Sequence, residues 1–291
     1  MAAMRDVDLT LAPMRLAILP PAALAGVVRY FHIEHSSPGP VIVPATPCPM
    51  IGFYIAGGSR FAAPDGSARR CSEPMVSGAL TRPTPAVWEP GTTFISAMVE
   101  AGQFARLLDI PLPELRDTLL PLDALAPQLG AARLQERLQR MTDSMQWVAA
   151  VSDWLLQLLG RREGSKLPFA LPSNALALPT ETIAGHFGLS VRTLERRYLA
   201  SYGQTIRDSR RMARYVKALG RLMLLPARHG LLTRLAMDCG YHDQAHMVRD
   251  FVHFTGLPPG ALMDGAAADA AGKLRLLRYE GESRHVVTRA D

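Results

Sequence analysis

A short pattern occurs twice between residues 178 and 263, and this repeat constrains the fold more than any other feature of the chain. Ile183, Ala184 and Gly188 recur as Leu235, Ala236 and Gly240 at an offset of 52. Leu194, Arg196, Tyr198 and Gly203 recur as Met247, Arg249, Phe251 and Gly256 at an offset of 53. The second copy therefore holds one extra residue just after its turn glycine. Each copy reads as two short helices that cross steeply, with Ala184 or Ala236 small enough to let them touch. The chain must then turn sharply, and Gly188 or Gly240 falls where a positive φ costs least. Ser190 and Asp243 are suited to cap the helices that follow. Leu194 with Tyr198, and Met247 with Phe251, lie four apart and share an inward face. Arg192, Glu195 and Arg196 point the other way in the first copy, Gln244 and Arg249 in the second.

One such helix pair alone is common, and its arginines are ordinarily only solvated. Two copies in register favour a functional pair. Residues 205–225 between them form one continuous helical pattern ended by Pro226. Met212, Val216, Leu219, Met223 and Leu224 make its apolar stripe, while Arg207, Arg210, Arg211, Arg214 and Lys217 crowd other faces.

The charge lies where the repeat lies. Residues 178–263 hold 12 Lys and Arg against 6 Asp and Glu, while the whole chain holds 32 against 26, so the rest of the chain is neutral. A basic module joined to a neutral one is the footprint of a nucleic-acid binder with a companion that does not touch nucleic acid.

The run from Gly240-Tyr-His-Asp-Gln-Ala-His-Met-Val-Arg-Asp-Phe to Gly256-Leu-Pro-Pro resembles the signature of the AraC/XylS family of bacterial transcription regulators. The resemblance covers about 85 residues and departs from the pattern at Thr205 and in Gly260-Ala-Leu-Met. It implies two helix-turn-helix units joined by a long helix, each with its second helix in a DNA major groove. It places Ser190, Arg192, Glu195, Arg196, Asp243, Gln244, His246 and Arg249 at the DNA, with Arg211 on the joining helix as a phosphate contact. A joining helix about 31 Å long would space two reading helices near the ~34 Å of one DNA turn.

The N-terminal part reads differently. Apolar or aromatic runs at 27–33, 41–43, 50–56, 86–88 and 94–99 are separated by clusters such as Ser37-Pro-Gly-Pro40 and Gly57-Gly58. They predict a small β barrel or sandwich, opened by a short helix after Pro20-Pro. Short helices are expected at 103–109 and 112–118. The stretch 99–115, with Pro121-Leu-Asp-Ala-Leu, is similar to the degenerate cupin-like sensor domain of some of these regulators. Two amphipathic stripes follow, Leu134, Leu138, Met141 and Met145, then Trp147, Val151, Trp154, Leu155 and Leu158.

The predicted fold is therefore α+β: a cupin-like sensing or dimerising domain at 1–163, a linker and lead-in at 164–177 with linker character from Arg161 on, a double helix-turn-helix domain at 178–264, and a tail at 265–291. Phe31, Phe53, Tyr54, Met75 and Trp88 are candidates for a ligand pocket in the β domain, although aromatic residues more often serve burial. The stripes could pack within one chain or against a second copy, with Leu134, Leu138, Met145 or Trp154 at the contact of a homodimer. Double-stranded DNA, a small-molecule effector and a second copy of the chain are the expected partners.

Other chemistries are not supported. In His32-Ile-Glu-His35 a strand would place His32 and Glu34 on one face and His35 on the other, so no metal site converges and no cofactor is expected. His242 and His246 fall at a DNA-facing helix start, where capping and phosphate contact outweigh metal binding. The chain has no Gly-x-Ser-x-Gly elbow. Cys48, Cys71 and Cys239 are scattered, as in a protein of the reducing cytoplasm, and Cys239 reads as a small core residue. No apolar run is long enough to span a bilayer. The competing reading is a ligand-binding or enzymatic cupin with a non-functional helical appendage. Basic residues on the recognition helices speak against it.

Overall fold

The computed structural model describes residues 14–35, 38–62, 67–161, 169–171, 173–224 and 230–263. The linker expected from Arg161 to Lys166 falls, after Arg161, outside the described residues, as does the expected tail at 265–291.

Among the described residues, ten strands build the N-terminal half: β1 (Met14–Ile18), β2 (Val28–His35), β3 (Gly39–Val43), β4 (Met50–Ala56), β5 (Ser59–Ala62), β6 (Ala68–Cys71), β7 (Met75–Ser77), β8 (Thr84–Trp88), β9 (Thr93–Val99) and β10 (Leu119–Pro121). They form an antiparallel six-stranded sheet in the order β1-β2-β9-β4-β7-β10 and a four-stranded sheet in the order β3-β8-β5-β6. The five expected runs are all strands. The remaining strands are short or polar, such as Ala-Arg-Arg-Cys in β6, where no alternation of apolar residues marks the strand. The expected helix after Pro20 is a single 3-10 turn at Ala22–Leu24.

Register sorts the side chains by face. Ile33 lies opposite Ile95, and Ile95 opposite Phe53; one residue along, Glu34, Phe94 and Tyr54 form the next row and point to the other side. The first row faces helices α1 (Ala101–Leu108), α2 (Leu112–Leu115), α3 (Leu122–Leu125), α4 (Ala131–Leu138) and α5 (Ser144–Gly160) and shares a core with Phe104, Leu107, Leu138 and Val151. The second row faces the smaller sheet, where Tyr54, Met75 and Phe94 pack with Val41, Phe61, Cys71, Ala86 and Trp88.

This two-sided sheet corrects the candidate pocket. Phe31 and Phe53 belong to the helix-covered core, whereas Tyr54, Met75 and Trp88 belong to the layer between the sheets. The five do not line one space, because Phe53 and Tyr54 are adjacent on a strand and must point to opposite faces. The inter-sheet layer is filled by tilted and edge-on contacts of Phe94 with Tyr54 (4.9 Å) and Trp88 (5.9 Å). Tyr54 Oη bonds Ser59 Oγ and lies 3.2 Å from Met75 Sδ. Gly52 is glycine for a local reason: the Phe94 ring occupies the space a Cβ would need.

Helix α4 repairs a fault in the sheet. The pairing of β4 with β7 stops at Gly52, opposite Met75, two residues short of Tyr54. There Gln135 Oε1 accepts from Tyr54 N (2.9 Å), Gln135 Nε2 donates to Ser72 O (2.8 Å), and Gln139 Nε2 donates to Tyr54 O (3.1 Å). A buried amide thus satisfies backbone groups that the ladder leaves over.

The first amphipathic stripe does not run as one helix. Helix α4 ends at Leu138, and Asp143 starts α5 by accepting from Met145 N (2.7 Å) and Gln146 N (3.0 Å). Leu134, Leu138 and Trp154, expected at a dimer contact, are buried within the chain; Met145 is 57% exposed. Trp154 packs edge-on against Phe53 (5.6 Å) and donates from Nε1 to Leu129 O (2.9 Å). The stripes therefore cover this chain's own sheet.

Among the described residues, six helices form the C-terminal half: α6 (Thr180–His186), α7 (Val191–Tyr202), α8 (Ile206–Leu224), α9 (Leu231–Asp238), α10 (Gln244–Thr255) and α11 (Pro259–Met263). They follow a 3-10 lead-in at Ser173–Ala177. The buried stripe of α8 is Ile206, Met212, Tyr215, Ala218 and Leu222. It is rotated from the expected one, with Val216 and Leu219 only partly buried and the side chains of Met223 and Leu224 outside the described residues. Tyr215 carries a polar tip, yet its ring is fully buried against Phe251 (5.5 Å) and Phe254 (4.7 Å).

Candidate nucleic-acid interface

Both copies of the repeat fold as the spacing requires. In the first, α6 meets α7 over buried Ile183 and Ala184, Gly188 takes φ +62°, and Leu194 and Tyr198 fill the space beneath. In the second, α9 meets α10 over Leu235 and Ala236, Gly240 takes φ +78°, and Met247 and Phe251 lie below. The caps form. Ser190 Oγ accepts from Thr193 N (3.2 Å), and Asp243 Oδ1 accepts from His246 N (2.6 Å). That bond, with the His242 ring 3.3 Å away, holds the Asp243 carboxyl below its ordinary range. Cys239 is buried beside the turn, and burial pushes its thiol up, as suits a core residue.

The outward edges differ. On α7, Arg192, Glu195 and Arg196 are all exposed, and their spacing of three and four puts them on one side. On α10, Gln244 is exposed but its Oε1 accepts from Thr233 Oγ1 (2.7 Å). His246 is half-buried, its ring edge-on to Tyr241 at 5.2 Å. Arg249 is exposed.

Between α8 and α10 runs a groove of about 700 Å³ lined by Arg207, Asp208, Arg210, Arg211, Arg214, His246 and Arg249. Five guanidinium groups in one groove make a strong positive field, suited to phosphate oxygens. Arg207 and Arg214 belong to it although the sequence alone gives them no assigned contact. The signal is the crowding of arginine on α8, which a helical wheel without a partner helix cannot orient.

Two of these arginines are committed to the fold. Arg211 Nε donates to Asp250 Oδ1 (2.6 Å), and the guanidinium lies over the Phe254 ring at 5.1 Å. Asp250 is 2% exposed. Arg211, expected as a phosphate contact, is thus the counter-ion of a buried carboxylate and borders the groove with what remains exposed. Arg210 donates from Nε to Leu176 O (2.8 Å), from one terminal nitrogen to Thr180 Oγ1 (3.0 Å) and from the other to Leu178 O. It ties the lead-in and the start of α6 to α8.

Two tandem helix-turn-helix units, each capped and each with a polar outward edge, and an arginine groove between α8 and α10 make a basic, double-headed domain suited to DNA. Residues 183–265 match the family model described as "Helix-turn-helix domain". That stretch, which holds both units, is thus a helix-turn-helix domain. Among solved structures, the chain is similar to ToxT from Vibrio cholerae at 10% identity, covering 80% of this chain and 97% of that one with a TM-score of 0.44. The unsaturated fatty acid-bound wild-type ToxT of Vibrio cholerae strain SCE256 matches at 11% identity, 81% and 96% coverage and a TM-score of 0.44. The AraC-like transcriptional activator CuxR matches at 15% identity, 69% and 93% coverage and a TM-score of 0.29. No curated protein matches the chain.

Proposed function

We propose that the protein is a transcription regulator that reads double-stranded DNA with α7 and α10, and that its β-rich half, with the helices on it, responds to a small-molecule effector. The observation that carries this reading is the pair of capped recognition helices with polar outward edges, together with an arginine groove between α8 and α10. Arg192 and Arg196 can pair bidentately with guanine and Glu195 can accept from cytosine; Gln244 can pair with adenine once it leaves Thr233. Arg207, Arg214 and Arg249 supply phosphate contacts along the groove. Basic residues at these positions favour the regulator over a cupin enzyme with an idle appendage. Among the described residues no helix is long and apolar enough to cross a membrane. Pairing of two chains is not required by this geometry, since one chain already presents two heads and the helical stripes are used inside it.

A gel shift with the full chain on DNA from the protein's own promoter region tests the reading. A retarded complex that weakens steeply with salt is expected. No complex at low salt, or one indifferent to salt, would refute it.

A further inference from the structure

We propose that the N-terminal half is a splint: it grips both recognition helices at their C-terminal ends and so sets the half-site spacing that the protein accepts. This rests on the reading of α7 and α10 as DNA-reading helices.

The first grip is at the end of α7. Gly102 of α1 lies so close to Tyr202 that a Cβ there would sit 2.9 Å from the phenol oxygen. Gly203, which ends α7 with φ +69°, lies so close to Leu112 that a Cβ would sit 2.8 Å from that carbonyl oxygen. Beside them Arg116 pairs with Asp208 of α8 at 3.6 Å.

The second grip is at the end of α10. The last carbonyls of a helix have no partner within it. One of them, Phe254 O, accepts from Ala45 N at 3.0 Å. Ala45 is 4% exposed and belongs to the same apolar cluster as Tyr215, Phe251 and Phe254, with Ile42 packed against it. The N-terminal half thus supplies both a C-terminal hydrogen bond and a piece of core to the second unit. A cavity of about 520 Å³, lined among others by Arg82, Arg116, Asp117, Asp208 and His253, lies between the domains, so the grips are separate points.

What the grips leave free decides their purpose. Recognition helices of this kind contact bases through their N-terminal residues. Arg192, Glu195, Arg196 and Gln244 lie toward those ends and are exposed. The N-terminal half holds the two helices from behind without covering the edges that read. A single joining helix bends or twists more readily than a three-sided frame, and two heads bind in concert only when their separation matches the sites.

The test uses the full chain and duplexes carrying the two half-sites chosen by the wild type, with the spacer changed by one or two base pairs. Gly102→Leu wedges the first grip and Ala45→Glu the second. The wild type is expected to lose about tenfold or more in affinity off its preferred spacing, and each wedge variant to lose most of that discrimination. Base preference within each half-site should be unchanged. Spacing profiles identical to the wild type would overturn the splint, as would tighter binding at every spacing, which would make the N-terminal half a cover instead. Circular dichroism melts screen the variants. If one wedge variant fails to fold, the milder Gly102→Ala, with the other wedge, carries the same comparison. A wild type that binds none of the duplexes would refute the DNA-reading assignment itself.

Discussion

The first head is braced by neutral groups and the second by a buried charge. In the first, Arg210 reaches two backbone carbonyls and a threonine hydroxyl in the lead-in and the start of α6. In the second, Arg211, the next residue on α8, reaches a carboxylate buried in the middle of the recognition helix. Their caps differ in the same sense, Ser190 in the first and Asp243 in the second. Their edges differ inversely: α7 presents Arg192, Glu195 and Arg196, all exposed, whereas on α10 the glutamine is already bonded and the histidine already packed edge-on against Tyr241. One steric frame has been completed twice with different polar chemistry. The steric frame fixes the shape of each head; the polar additions decide how stiffly it is held and how it discriminates.

The largest expected effect separates the two braces. Arg211→Ala leaves the Asp250 charge buried and unpaired, which should cost about 3 kcal/mol, reduced from the upper end because the guanidinium is partly solvated. Arg210→Ala removes hydrogen bonds to neutral acceptors and should cost about 1–2 kcal/mol. Urea denaturation of the full chain compares them, and equal losses would mean that the buried charge is not special.

A second contrast lies in specificity. Arg196→Ala should relax preference at one base position by about 1–3 kcal/mol. Gln244→Ala should relax it less, because wild-type Gln244 must first give up its bond to Thr233. Binding-site selections with each variant measure both, and an unchanged consensus for Arg196→Ala would remove that residue from base reading.

The groove should act alike on every sequence. Arg207→Ala and Arg214→Ala are each expected to lower affinity uniformly. Each should also flatten the slope of log K against log salt by about 0.9 for every phosphate no longer neutralised. Titrations on specific and random duplexes at several salt concentrations would show it. A sequence-dependent loss would move these arginines from backbone to base.

The smallest expected effect is confined to the second cap. The Asp243 carboxyl is held below its ordinary range by the His246 N–H, so its contribution is present above the unfolded carboxylate range and is lost as pH falls through the folded value. Ser190 does not titrate. Acidification should therefore fray the start of α10 before that of α7, and Asp243→Ser should remove the difference. Amide exchange at His246 and Thr193 as a function of pH reports both caps.

The contrast also shows what a sequence exposes. The repeat is legible because alanine at a helix crossing, glycine at a positive φ and apolar pairs four apart are local requirements with few solutions. The strand runs are legible for the same reason, down to Met50–Ala56. The polar braces are not. Nothing local to Asp250 shows that Arg211 will lie across it, and Gln135 gives no hint that it bridges Tyr54 and Ser72 where the ladder of β4 with β7 ends. Tyr215 is missing from the predicted stripe of the joining helix, and Phe53 with Tyr54 reads as one pocket, because burial and facing depend on the partner element. The pairing of Gly203 with Leu112 joins residues 91 positions apart and leaves no local trace.

The central claim is that both heads of one chain engage DNA together. Selection of binding sites by the full chain from a random duplex pool tests it most directly. The expected consensus has two blocks, a strongly specified one for α7 and a weaker one for α10, with centres about 10–10.5 base pairs apart. A consensus with one block only, unaltered by Arg249→Ala and by Gln244→Ala, would contradict it.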